Sequence, residues 1–349
     1  MSTDKIKNAF IELGKFLRQF SQEQEQDILH NQKFLPKALD LIENHQHSNN
    51  WFTPQQIHFN LNQWGKLLQA EQLDKWLSGY SFSDKTPKTI AIVMAGNIPL
   101  VGFHDFLCVL LSGNKALVKL SSNDKLLLPL IAEYLIAVEP LLADSIIFCD
   151  TKLEHFDAVI ATGSNNTARY FEYYFNQKPN IIRQNRNSVA ILTGNETSKD
   201  LELLSDDIFT YFGLGCRSVS KIFVPKEYDF TLFLEVMNKY QELKNNQKYM
   251  NNYDYNKAVF LMSNFVFLDN GFMILKEDLN YNSPISCVFY EYYDDINSIL
   301  EKIGLDQELL QCVVYKNDDT KYTNFGQTQT PQLSDYADNI DTMNFCLSI

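Results

Sequence analysis

Cys216 is the first residue whose type and setting favour chemistry. It follows two glycines, Gly213 and Gly215, and precedes an apolar run at 219–224 that predicts a β-strand. A reactive thiol needs access, backbone donors and nearby positive charge, and the glycines together with Arg217 and Lys221 are suited to provide them. The ordinary alternative is a buried structural cysteine, since free cysteine usually behaves as a small hydrophobe.

Three polar segments form a second group of candidates. Ala95-Gly96-Asn97, Lys119 to Ser122 and Thr162-Gly163-Ser164 each follow an apolar run that predicts a strand. Parallel strands place their carboxyl ends at one edge of a sheet, so these segments are expected to face one crevice. Each also has an ordinary structural interpretation: Asn97 as a turn residue, Lys119 as a charge at a strand end, and Gly163-Ser164 as a helix cap.

The elements that must position these residues fall into a helical front and an alternating strand–helix region. Residues 1–80 carry amphipathic helical patterns, the clearest at 53–68, where Thr53 is expected to cap the helix and Pro54 to begin it. After a turn-rich linker at 81–88, short apolar strands alternate with helices predicted at 99–112, 123–138 and 165–175. This alternation is typical of a parallel sheet covered by helices.

Composition limits the possible functions. A chain of 349 residues favours two domains, and a formal charge of −13 argues against general nucleic-acid binding. The six cysteines lack metal or disulfide spacing, so neither a zinc site nor a disulfide framework is expected. No apolar run approaches a membrane span, and the amino terminus is unlike a signal peptide, which predicts a cytoplasmic protein.

Basic residues offer local sites for an anionic small molecule despite the acidic chain. One pair is Arg183 with Arg186, and the other is Arg217 with Lys221. For the first pair, solvated surface charges are an equally good interpretation.

Four segments, taken in order and spacing, resemble the aldehyde dehydrogenase superfamily and most closely its acyl-CoA reductases of the LuxC type. They are "GNIP" at 96–99, "GNKALVKLSS" at 113–122, "ATGSNNTARYF" at 161–171 and "GLGCRSVSKIFV" at 213–224. The resemblance extends over about 89–294. It implies two α/β domains with parallel sheets, one a Rossmann-like cofactor domain and the other catalytic.

The resemblance also implies roles for individual residues. Cys216 corresponds to the nucleophile, and Asn97 to the residue whose amide helps to form the oxyanion hole. The residues expected at a nicotinamide cofactor are Lys119, Ser121, Ser122, Thr162, Gly163 and Ser164. No metal ligand is expected.

Three departures from the family pattern refine the expectation. Arg183 lies near the position of the general-base glutamate, which favours acyl transfer between thiols over hydrolysis. Ser122 replaces a glutamate that binds the ribose hydroxyls, and a small neutral residue there favours NADPH over NADH. Asn280 stands where another ribose-binding glutamate would be, which leaves the cofactor contacts on that side undefined.

The sequence therefore predicts an NADPH-dependent reductase that converts an acyl-CoA to an aldehyde through an acyl-cysteine. The predicted regions are a helical front with cofactor domain at 1–188, a catalytic domain at 189–330 and a tail at 331–349, with Asn97 and Cys216 facing each other across a cleft. The alternatives are another base-deficient aldehyde dehydrogenase relative, which uses an acyl phosphate or a different acyl acceptor, and a non-catalytic scaffold of the same fold. A homo-oligomer is expected from the resemblance.

Overall fold

The computed structural model describes residues 2–21, 27–83, 85–317, 319 and 321–349. The chain divides into two compact units, Met1–Gln184 with Gln332–Ile349, and Asn185–Pro331. No helix in the described part of the chain is both long and apolar enough to cross a bilayer.

A helical layer precedes the first strand. Its helices are α1 (Thr3–Arg18), α2 (Asn31–Asn44), α3 (Pro54–Leu67) and α4 (Ala70–Leu77). As the sequence predicted, Thr53 caps α3 by accepting a hydrogen bond from the Gln56 amide, and Pro54 occupies its first turn, where the missing N–H costs nothing. Glycines let α1 approach α3 closely, since a Cβ at Gly65 would lie 2.7 Å from Arg18 Cγ.

The first sheet is parallel throughout, and its strand order is β3-β2-β1-β4-β5. Its strands are β1 (Thr89–Val93), β2 (Lys115–Lys119), β3 (Ile146–Phe148), β4 (Ala158–Thr162) and β5 (Asn180–Arg183). The helices between them are α5 (Phe103–Leu111), α6 (Leu127–Val138) and α7 (Asn165–Phe175). The chain winds outward from β1 in both directions, so the order reverses between β1 and β4, where sheets of this class bind their ligands.

The second sheet has the order β11-β6-β7-β10-β9-β8. Its strands are β6 (Asn187–Ile191), β7 (Val219–Pro225), β8 (Phe267–Asp269), β9 (Ile274–Glu277), β10 (Cys287–Tyr293) and β11 (Leu310–Val314). The helices of this unit are α8 (Ser198–Phe209), α9 (Thr231–Met237), α10 (Gln247–Met262) and α11 (Ile296–Leu305). The pairings are parallel except that β8 runs antiparallel to β9. The predicted fold class of two α/β units with parallel sheets and a helical front is confirmed.

The unit boundaries differ from those predicted at 188 and 331. Asn187 and Ser188 already pair with strands of the second sheet, so the second unit begins earlier, at Asn185. The residues predicted as a tail return to the first unit and end in α12 (Thr342–Ser348). The carbonyl of Cys346 in this helix accepts hydrogen bonds from Asn114 and Lys85.

Candidate active site

The three polar segments predicted at strand ends leave the first sheet at one edge. The register of β1 pairs Val93 with Lys119 on β2 and with Ala161 on β4. The loops carrying Asn97, Ser121 with Ser122, and Gly163 with Ser164 therefore start side by side. Asn97, Ser122 and Ser164 are exposed.

Close backbone approaches explain the glycines in these loops. A Cβ at Gly96 would lie 2.5 Å from the Ser121 Oγ, which no side chain tolerates without movement. A Cβ at Gly163 would lie 3.0 Å from Phe171 and Thr167 on α7. The loops after β1 and β2 thus touch, and the loop after β4 is tight against its own helix.

Polar contacts fix the ends of β2 and β4. Lys119 donates from Nζ to the Thr151 carbonyl at 2.8 Å. Ser164 caps α7, because its hydroxyl accepts the Thr167 amide at 3.3 Å. The interpretation of Ser164 as a helix cap is therefore correct. Ser164 is also exposed at the start of the helix.

The turn carrying Asn97 is held by two residues that the sequence analysis did not single out. Leu100 adopts a left-handed backbone conformation, with φ 54°, and its N–H donates to Asp124 Oδ2 at 2.9 Å. Asn60 on α3 donates to the Pro99 carbonyl at 3.0 Å. Burial raises the pKa of Asp124 to about 6, although backbone hydrogen bonds oppose the shift.

Cys216 lies in the second unit, in a turn between α8 and β7. Three consecutive residues before it, Tyr211, Phe212 and Gly213, have positive φ values of 56°, 59° and 74°. The Ser218 amide closes the turn by donating to the Gly215 carbonyl at 3.0 Å, and Ser188 on β6 donates to the Cys216 carbonyl at 2.9 Å. Gly213 adopts its left-handed conformation without cost, whereas Tyr211 and Phe212 are strained, so the turn before Cys216 has a fixed backbone.

Exposure distinguishes Cys216 from the other thiols. Of the six cysteines, all within the described part of the chain, Cys216 alone is exposed, and Cys149 is half-buried. The buried cysteines are Cys108, Cys287, Cys312 and Cys346. Burial raises the pKa of all four thiols, to about 12 for Cys287, so they stay protonated near neutral pH.

A buried carboxylate braces the helix that leads to the Cys216 turn. Asp207 on α8 accepts hydrogen bonds from the amides of Gly326 and Thr328, at 2.7 and 2.9 Å. Burial raises its pKa to about 6, while these bonds act in the opposite direction. The same segment reaches the turn itself, since Gln329 donates to the Ser218 hydroxyl at 3.3 Å. Asp207 was not predictable from a local pattern, because its partners lie far along the chain.

Arg183 and Arg186 hold protein groups. Arg183 is buried, pairs with Asp105 at 2.5 Å and donates to Thr342 Oγ1 at 2.8 Å, so it joins β5 to α5 and α12. Arg186 donates to the carbonyls of Gln307 and Leu310. The surface-charge interpretation is wrong for Arg183, because its partner is a buried carboxylate distant in sequence.

The second basic pair, Arg217 and Lys221, also contacts protein groups. Arg217 donates to Cys312 Sγ at 3.4 Å. Lys221 is fully buried and pairs with Glu291, which also binds Lys302. Burial lowers the pKa of Lys221, and the Glu291 ion pair opposes that shift. Lys221 is therefore part of an internal ion-pair network of the second sheet.

Asn280, at the third departure from the family pattern, lies in the loop after β9. Its side chain and its amide both donate to Asp278 Oδ1, at 2.8 and 2.9 Å. No cluster of three or more histidine, cysteine or acidic side chains suited to a metal ion occurs among the residues that the structure describes.

A comparison with models of protein families shows which family this chain belongs to. Residues 13–328 match the family model described as acyl-CoA reductase (LuxC). The chain belongs to this family. The resemblance inferred from the four segments is therefore confirmed, and the match also includes most of the helical front.

A curated relative is the long-chain acyl-protein thioester reductase of Vibrio harveyi. It is 25% identical over an alignment of 270 residues, and the match covers 67% of this chain and 55% of that protein. The match thus spans about half the length of the curated relative.

Solved structures with this fold include aldehyde dehydrogenases. The indole-3-acetaldehyde dehydrogenase of P. syringae, solved with NAD+ and IAA, gives a TM-score of 0.65 at 12% identity, covering 92% of this chain and 74% of that one. The aldehyde dehydrogenase KauB of Pseudomonas aeruginosa gives 0.65 at 12% identity, covering 91% and 73%. At such identities the likeness shows the fold alone.

Proposed function

We propose that this chain is an oxidoreductase that reduces an acyl-CoA thioester to an aldehyde, with Cys216 as nucleophile. The observation that carries the proposal is the contrast among the thiols. Cys216 is exposed on a turn fixed by Ser188 and by strained backbone, whereas burial disables the four buried cysteines as nucleophiles. Family membership and the name of the Vibrio harveyi relative support an acyl thioester as substrate.

The first step is acyl transfer. The Cys216 thiolate attacks the thioester carbonyl, and its sulfur forms a bond to that carbon while the carbonyl oxygen becomes an oxyanion. The side-chain N–H of Asn97 and the backbone N–H of Cys216 stabilise this oxyanion, and each such donor typically contributes about 3–4 kcal/mol. The bond to the CoA sulfur then breaks, and an acyl-cysteine remains. This step requires the Cys216 sulfur to reach the carbonyl carbon while the Asn97 side chain reaches the oxygen of the same carbonyl, which stays a prediction.

The second step is reduction of the acyl-cysteine. The residues at the carboxyl ends of β1, β2 and β4 fit a dinucleotide, because two loops there approach closely at Gly96 and a capped helix begins after Gly163. Lys119, Ser121, Ser122, Thr162, Gly163 and Ser164 would hold it. When bound, the nicotinamide cofactor supplies the hydride for the acyl carbon. The Cys216 sulfur leaves as thiolate, and the aldehyde is released.

The preference for NADPH and the choice of thiol over water are finer parts of the proposal. Ser122 is exposed and neutral, so it does not repel a ribose phosphate. Arg183, near the position of the family's general base, is a buried partner of Asp105 and is unable to activate water. Without that base the acyl-cysteine exchanges with thiols faster than it hydrolyses. A cytoplasmic location and a homo-oligomeric state are also part of the proposal.

A direct assay tests the proposed reaction. The purified chain is mixed with NADPH and an acyl-CoA, and loss of absorbance at the reduced-nicotinamide band is followed together with aldehyde formation. We expect turnover that Cys216→Ala abolishes and Cys149→Ala preserves, since Cys149 is the other thiol with solvent access. A protein without turnover on acyl-CoA or acyl phosphate would instead be a scaffold of this fold.

A further inference from the structure

The turn between β1 and α5 carries Asn97 at the surface but is fixed from below. Leu100 is buried and has a left-handed φ of 54°, a conformation that a leucine adopts only when its surroundings impose it. Its N–H donates to the carboxylate of Asp124, which is 6% exposed. Hydrogen bonds to an ionised acceptor are roughly twice as strong as neutral ones.

Asp124 is itself held in place by the loop after β2. Its amide donates to the Ser121 carbonyl at 3.2 Å, and the preceding Asn123 amide donates to Ser121 Oγ at 3.2 Å. The same Ser121 side chain lies where a Cβ on Gly96 would be. The two strand-end loops are therefore braced against each other at both ends of the Asn97 turn, by Gly96 against Ser121 and by Leu100 against Asp124.

The helical front adds a third contact. Asn60 projects from α3 and donates to the Pro99 carbonyl at 3.0 Å, next to the residue that Asp124 binds. The Pro99 carbonyl and the Leu100 N–H belong to one peptide group, and its two ends are thus held by two different elements. Such double anchoring removes freedom at the base of the turn and so limits the positions of Asn97.

We propose that Asp124 is a positioning residue: its carboxylate fixes the Leu100 amide and thereby sets the Asn97 side chain for the oxyanion contact of the proposed reaction, on which this inference rests. Burying a carboxylate is costly, and its pKa is raised to about 6 by that burial. A neutral side chain would fill the space with less penalty. A carboxylate buried at this cost and bonded to the Leu100 amide fits a role in the geometry of a reacting centre.

The test is a double-mutant cycle on the acylation step. Asp124→Asn keeps the shape but loses the charge, and it is made in the wild-type chain and in Asn97→Ala. The rate at which acyl-CoA acylates Cys216 is measured without cofactor in single turnover. The matched control is Asp157→Asn, since Asp157 accepts the Thr89 amide at 2.8 Å at the opposite end of β1.

If Asp124 acts through Asn97, Asp124→Asn slows acylation by about 10²-fold, as expected when a reacting group is misplaced by about 1 Å. The same change in Asn97→Ala then has little further effect, because the contact it positions is already gone. Hydrogen exchange of the peptide around Leu100 speeds up in Asp124→Asn and stays unchanged in Asp157→Asn. Both results together support the proposal.

Three outcomes overturn it. An active Asp124→Asn, an equal loss in the Asn97→Ala background, or unchanged exchange at Leu100 each refutes the role of Asp124 while the proposed reaction stands. A wild-type chain that is never acylated refutes the reaction itself, and the positioning role with it. Should Asp124→Asn fail to fold, Asp124→Ser removes the carboxylate with a smaller side chain and enters the same cycle, with the same two expectations.

Discussion

Cys216, Asn97 and Ser122 are exposed side chains whose surroundings are fixed by buried ones. Ser188 holds the Cys216 carbonyl and Asp124 holds the turn of Asn97. The exposed residues were predictable because reactive thiols, strand-end amides and glycine-bounded loops leave a local pattern. Asp124 and Asn60 leave none, since a carboxylate after a strand and an amide on an amphipathic helix both read as surface residues.

Ser122 sets the predicted cofactor preference. Replacing it with glutamate places a negative charge where a ribose phosphate would bind and offers a carboxylate to ribose hydroxyls, so Ser122→Glu is expected to shift the ratio of kcat/KM values toward NADH. Ser122→Ala removes the hydroxyl without adding charge and is expected to keep the NADPH preference. Steady-state rates with both cofactors measure the ratio. A wild-type enzyme that already prefers NADH would refute the inference from residue 122.

At the scale of elements, α5 and α6 begin later than the sequence predicted. The apolar pattern favoured helices from 99 and 123, whereas they begin at Phe103 and Leu127. The left-handed Leu100 interrupts the first, and the Asp124 contact with that residue belongs to the loop before the second. Periodicity reports the buried face of a helix but not a long-range contact that ends it.

The strained turn before Cys216 makes a specific demand on Gly213. Its φ of 74° lies in the left-handed region, and a Cβ there would lie 3.3 Å from the Ile208 carbonyl oxygen. Gly213→Ala is therefore expected to lower the free energy of unfolding by about 1–2 kcal/mol and to slow acylation of Cys216. Urea unfolding and single-turnover acylation measure the two effects.

Gly304 provides the matched control for that substitution. It lies in α11 without a positive φ, and nothing lies within 4 Å of an added Cβ. Gly304→Ala adds the same methyl group and is expected to stabilise the chain by about 0.5–1 kcal/mol with unchanged acylation. Equal effects of the two substitutions would contradict the strain assigned to the Cys216 turn.

At the scale of the whole molecule, the fold was predictable because alternating strands and helices allow few topologies and the four segments added a known family. The boundary between the two units, and the return of the last residues to the first unit, were not predictable from the sequence. Arg183 pairs with Asp105, 78 residues away, and binds Thr342, 159 residues away. Contacts of that sequence separation decide where a compact unit ends, and no local pattern records them.

Among the residues that the structure describes, burial raises the pKa of one aspartate in each unit to about 6, Asp124 in the first and Asp207 in the second. The ordinary pKa of an aspartate is 3.8, so between about pH 4 and pH 6 the folded chain holds more protons than the unfolded chain. Stability contributed by these groups therefore falls as pH rises through that window, by on the order of 3 kcal/mol for each.

The substitutions Asp124→Asn and Asp207→Asn remove this titration. The free energy of unfolding of each variant, minus that of the wild type, is expected to be larger at pH 7.5 than at pH 4. Urea unfolding at the two pH values measures this difference. A difference from wild type that is the same at both pH values would contradict the raised pKa values.

The central claim is that Cys216 carries the acyl group, and the intact mass of the chain after mixing with an acyl-CoA, without cofactor, tests it most directly. Hydrolysis lacks a general base, which typically contributes about 10²- to 10⁴-fold, so the acyl-enzyme should persist. We expect one added acyl group, located by peptide mapping on Cys216, absent from Cys216→Ala and present in Cys149→Ala and in variants of the four buried cysteines. Acylation that survives Cys216→Ala, or that maps to another thiol, would contradict the account.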